Sequence, residues 1–103
     1  MGNPMRIRAT NEGGVTTVKV LMNHVMETGQ RKGSDGNKIP AHFITELTAK
    51  HNDAVVLAAN FGPSVSKNPY LKFDFKGGAA GDKVSVSWMD NMGDSRTDEV
   101  VIK

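Results

Sequence analysis

The sequence predicts an all-β antiparallel fold, a sandwich or a barrel, on three observations. Short apolar segments recur along the chain, each bounded by Gly, Asn, Asp or Pro. Within several of them apolar and polar residues alternate, which is the period of a half-buried strand. Nowhere is a 3.6-residue period sustained, so almost no helix is expected beyond a single turn near Met26 and Glu27. At 103 residues the chain fits one domain, 1–103, large enough to bury a core without a covalent or metal staple.

Seven strands are expected, at about 5–9, 15–22, 41–50, 54–61, 70–76, 83–90 and 96–102. Alternation is clearest in "YLKFDFK", where Leu71, Phe73 and Phe75 share an inward face and Tyr70, Lys72, Asp74 and Lys76 a wet one. The same period sends Val84, Val86 and Trp88 inward from "KVSVSWMD", and Val18, Val20 and Met22 from "VKVLM". Between them, "HND" suits a tight hairpin with a residue at positive φ, and "NEGG", "GGAAGD" and "NMGD" supply turn glycines. The one long connection is 23–40, with a polar, glycine-rich centre at 29–37 expected to be exposed and mobile. By contrast, "FGPSVSKNPYL" carries Pro63 and Pro69, which fix φ and restrict the residues before them. A loop so stiffened can present Lys67, Asn68 and Tyr70 at small ordering cost, and the reading that the prolines merely end one strand and start the next fits the sequence as well.

Composition removes several function classes. Thirteen Lys and Arg against eleven Asp and Glu give a formal charge of +2, scattered rather than gathered into the basic stripe that nucleic acid requires. The longest apolar run, "AVVLAA", falls far short of the ~20 residues of a membrane-spanning helix. Cysteine is absent, which excludes disulfides, a thiolate nucleophile and cysteine-ligated zinc or iron–sulfur sites. The amino-terminal "MGNPMRIRAT" has no apolar leader segment, so a cytoplasmic address or an indirect route of export is expected.

His24, Glu27 and His42 are the first candidates for chemistry, because two imidazoles and a carboxylate form a zinc or non-haem iron donor set. Their spacing matches neither H-x3-5-H nor H-E-x-x-H, and His51 falls at the far end of the strand that begins near His42, roughly 30 Å away at ~3.3 Å per residue. Structural or interface histidines are the more economical reading. Asp90, Asp94, Asp98 and Glu99 in "WMDNMGDSRTDEV" offer an acid/base pair, but an ordinary hairpin turn with surface ion pairing, Arg96 neutralising a carboxylate, is the more economical reading. There is no calcium-loop ladder, no G-x-S-x-G and no phosphate-cradling glycine loop. No catalytic, cofactor-binding or metal-binding residue is assigned on these grounds.

Taken together, "HVMETGQRKGSDGNKIPAHFI", "FGPSVSKNPYLKFDFKG" and "GDKVSVSWMDNMGDSRTDE" closely resemble the SoxZ family, the Z subunits of the sulfur-oxidation (Sox) carrier complex. The likeness runs over about 6–102, with one departure at Val25, where the family pattern usually has proline. It implies an immunoglobulin-like sandwich without cofactor or catalysis of its own, forming a heterodimer with SoxY. That Y subunit carries sulfur intermediates from thiosulfate on a cysteine of its glycine-rich carboxy-terminal arm, and the cysteine-free composition here fits such a division of labour. The resemblance further implies transient contacts with the thiosulfate-loading cytochrome SoxAX, the hydrolase SoxB and the sulfane dehydrogenase SoxCD, and a periplasmic address by co-export with a signal-bearing partner. Partner packing would fall to the flanks of the long connection, His24, Met26, Glu27, Ile39, Pro40, His42 and Phe43, and to Pro63, Lys67, Asn68 and Tyr70. His24 and His42 would then be hydrogen-bonding interface residues rather than metal ligands. Two readings from other classes stand beside it: a small metal-dependent or acid/base enzyme using His24, Glu27 and His42, and a stand-alone sandwich adhesion module.

Overall fold

A computed structural model describes residues 2–62 and 64–103. Its strands are β1 (Arg6–Glu12), β2 (Val15–Leu21), β3 (Ile44–His51), β4 (Ala54–Asn60), β5 (Tyr70–Lys76), β6 (Lys83–Asp90) and β7 (Ser95–Val101), with no helix among the described residues. The expected strands are all present. The third starts at Ile44 rather than at 41, because Ala41 and Phe43 lie outside the ladder and His42 pairs instead with Glu27 in an isolated bridge.

Two antiparallel sheets form, in the orders β1-β2-β5 and β4-β3-β6-β7, so the fold is a sandwich and not a barrel. The chain crosses between sheets after β2, β4 and β5, while β1–β2, β3–β4 and β6–β7 are hairpins within a sheet. Asn52 and Asp53 both take positive φ (45° and 73°), as a two-residue hairpin turn demands. Along one side the sheets are laced together: Met5 N–H donates to Asp98 Oδ2 (2.9 Å), and Lys103 N–H to the Ala9 carbonyl (3.0 Å).

Alternation places Val18, Val20, Met22, Ile44, Leu47, Val84, Val86, Trp88 and Ile102 in full burial between the sheets. The expectation for β5 needs correction. Leu71, Phe73 and Phe75 face the core but are only half-buried, because β5 is the edge of a three-stranded sheet and its side of the sandwich, towards β4, is less closed than the β1–β7 side. The His51 ring lies tilted over Phe75 there, at a centroid separation of 5.1 Å. Phe73→Ala should therefore cost about 2 kcal/mol in chemical denaturation, below the ~3 to 5 kcal/mol of a fully buried phenylalanine. A loss of about 4 kcal/mol or more would show that this side closes in solution.

Candidate functional site

The polar residues that the sequence singles out converge where the long connection meets the end of β6. Beyond β2 the chain stays paired with the segment before β5: Met22 N–H donates to the Pro69 carbonyl (2.9 Å), His24 N–H to Asn68 Oδ1 (3.0 Å), and Asn68 N–H to the His24 carbonyl (2.9 Å). Asn68 holds positive φ (52°), a conformation asparagine tolerates better than most residues. Met26 takes φ of 52° as well and turns the chain, so that Glu27 and His42 exchange backbone hydrogen bonds of 2.7 and 3.0 Å. Two imidazoles separated by 18 residues in sequence are thereby brought to a centroid separation of 4.6 Å, edge to face.

Asp90 completes the cluster. Its Oδ1 accepts Met92 N–H and Asp94 N–H, both at 2.9 Å, in the turn between β6 and β7. That fixes the carboxylate and leaves Oδ2 to accept His24 Nε2 at 2.9 Å and His42 Nε2 at 2.8 Å. Met26 N–H donates to His24 Nδ1 (3.3 Å), so the ring proton of neutral His24 resides on Nε2. The Asp90 and His24 side chains are 0% and 4% exposed, whereas that of His42 is 38% exposed. Burial alone would push the Asp90 carboxyl up, but the hydrogen bonds from His24, Asp94, His42 and Met92 outweigh it and hold the group below the usual aspartate range. Trp88 packs edge-on against His24 at 4.9 Å and seals the inner side.

The carboxylate between the histidines is thus not the expected one. Glu27 turns away and binds Arg31 through a two-pronged contact, whose hydrogen bond lowers the Glu27 pKa. Arg96 neutralises a carboxylate of the acidic stretch as expected, forking onto Asp98 with Nη2 at 2.8 Å from Oδ1. A signal for Asp90 was present, since the alternation that sends Val84, Val86 and Trp88 inward sends Asp90 inward too. A carboxylate buried by that parity requires donors, and the nearby histidines supply them.

Of the residues expected to meet a partner, His24 and Met26 are buried, and Met26 Sδ accepts Ile44 N–H (3.4 Å), so they shape the connection from within. Glu27, Ile39, His42 and Phe43 are half-buried, while Pro40, Lys67, Asn68 and Tyr70 are exposed. Pro63 lies outside the described residues. Tyr70, 62% exposed, pairs across the sheet with Leu21, which is exposed as well. The polar centre of the connection closes on itself as a small hairpin: Lys32 bridges Lys38, and Ile39 N–H donates to the Arg31 carbonyl (2.7 Å).

Fold and site define a class: a small immunoglobulin-like sandwich whose one long connection is pinned, through two histidines, to a buried aspartate at the corner of the second sheet. The model of the family described as sulphur oxidation protein SoxZ matches residues 5–101. The chain belongs to that family, and so to the sulfur-oxidation system. No curated protein matches it.

Proposed function

We propose that the chain is a non-catalytic subunit of a sulfur carrier, which binds a cysteine-bearing Y subunit (SoxY) and helps present that subunit's sulfur-loaded arm to SoxAX, SoxB and SoxCD-type enzymes. The observation that carries this reading is the conjunction of the family match over residues 5–101 with a cysteine count of zero. A sulfur-oxidation component without a thiol has no side chain of its own on which a sulfane can ride, so it acts through a chain that has one. The surface supports an interface at the connection's flanks, where Pro40, Lys67, Asn68 and Tyr70 are exposed beside half-buried Ile39 and Phe43. Periplasmic placement by co-export with the partner belongs to the same proposal. An obligate interface of this kind buries ~2,000 Å² or more around an apolar centre.

The test is co-expression with the gene product encoded alongside, sedimentation of the product, and a reconstituted thiosulfate-oxidation assay. A 1:1 complex is expected, with activity abolished by replacing the partner's cysteine. Thiosulfate turnover by the chain alone would overturn the reading.

A further inference from the structure

We infer that His24, His42 and Asp90 form a binding site for a divalent first-row transition metal such as Zn²⁺. Each of the three offers one donor atom, a ring nitrogen of His24 and of His42 and a carboxylate oxygen of Asp90, and these atoms all lie within 4.8 Å of one another. Two imidazoles and a carboxylate are the nitrogen–oxygen donor set that such ions accept, and a chain without cysteine offers them no thiolate competitor.

Three features beyond proximity make the cluster a preorganised one. Both imidazoles present the same atom, Nε2, to the same oxygen, so the donors converge on one locus. The Asp90 carboxylate is already oriented by two backbone N–H groups on Oδ1, the support that ligating carboxylates receive in metal centres. His42 is 38% exposed, and a cleft of about 140 Å³ bordered by His24, His42, Asn23, Asn68 and Lys67 opens beside it, giving an ion both an entry path and room for a solvent ligand.

The metal-free geometry states what binding must change. Tetrahedral ligands at ~2.0 to 2.1 Å from an ion stand about 3.3 Å apart, so each Nε2 to Oδ2 hydrogen bond, now 2.9 and 2.8 Å, opens by about half an ångström. His42 precedes β3 rather than lying within it, and can supply that movement. Nε2 must also surrender its proton. For His24 the ring proton passes to Nδ1, which gives up the 3.3 Å bond it accepts from Met26 N–H, so these two N–H groups must then move apart. Metal uptake is therefore a tautomer exchange at both rings, the Nε2 proton of half-exposed His42 likewise passing to its Nδ1, with no net proton released by either neutral imidazole. The ion cross-links the connection, the entry to β3 and the β6–β7 corner. This site is independent of the carrier reading, which stands or falls without it.

Titration of the full chain with Zn²⁺ in a non-coordinating buffer, followed by calorimetry and by imidazole ¹⁵N resonances, tests the inference. Stoichiometric, saturable binding is expected, with His24 shifting from the Nε2–H to the Nδ1–H form. His42→Gln, at a half-exposed position, should weaken binding by roughly a hundredfold. His51→Ala, which removes the other histidine–carboxylate pair at Asp82, should leave it unchanged. The inference fails if Zn²⁺ does not saturate, if His51→Ala abolishes binding as fully as His42→Gln, or if binding leaves the His24 tautomer as it was. The tautomer readout needs only the unaltered protein, so it decides the matter even where a variant does not fold.

Discussion

Trp88→Ala is expected to cost ~3 to 5 kcal/mol, a large share of the ~5 to 15 kcal/mol that holds a domain of this size folded. Trp88 is 1% exposed, faces inward from the central strand β6, and supports His24 edge-on. Its removal opens the largest cavity a single substitution can make here and takes away one wall of the polar cluster. Trp88→Phe should lose much less than the alanine variant, because Nε1 is buried without a hydrogen-bond partner and phenylalanine discards that unpaired N–H together with the second ring. Urea denaturation of both variants checks the pair. A loss for Trp88→Phe within about 1 kcal/mol of that for Trp88→Ala would count against the unpaired N–H as a burden on the core. Gly2 belongs to the same packing, since a Cβ there would collide with the Trp88 ring.

Asp90→Ala should cost about 3 kcal/mol, because it strands two backbone N–H groups and two imidazole N–H groups in or near the core. A loss below about 1 kcal/mol would mean that the carboxylate is solvated. The same contacts set the sign of a pH effect. The folded-state pKa of Asp90 is depressed, so its contribution is present above the unfolded value of about 3.9 and is lost as pH falls through the lower folded value. Asp98 acts in the same direction, held down chiefly by the Arg96 hydrogen bond and, against its burial, by Met5 N–H. Denaturation midpoints measured from neutral pH downwards should drop in that acid window for the parent chain and drop less for Asp90→Ala. Parallel curves would remove Asp90 as the cause.

Strand identities were legible because period-two alternation and turn residues act locally. "KVSVSWMD" and "YLKFDFK" declare their faces without reference to the rest of the chain. How deeply a face is buried was not legible, since that depends on which strands lie at sheet edges. Phe73 and Val86 look alike in pattern, yet β5 is an edge and β6 is central. The histidine pair shows the same division. Spacing along the chain argued against a joint site, but the bridge between Glu27 and His42 erases the separation that spacing measures. Asp90 is the instructive residue, because its parity announced burial while its place in a turn-rich acidic stretch suggested a surface. The expectation that Arg96 neutralises a nearby carboxylate holds at Asp98, because the two residues are two apart on β7 and share a face.

Four strands lie at sheet edges, and three of them carry charges: Arg6, Arg8 and Glu12 on β1, Lys72, Asp74 and Lys76 on β5, and Arg96, Asp98 and Glu99 on β7. The fourth, β4, reads AVVLAAN, with no charge at all and Val55 59% exposed. Charges on an edge strand are what keep one molecule from zippering onto the next. The solubility of the chain should fall steeply with concentration, and a single lysine at Val55 should raise the yield of soluble material while leaving the core untouched.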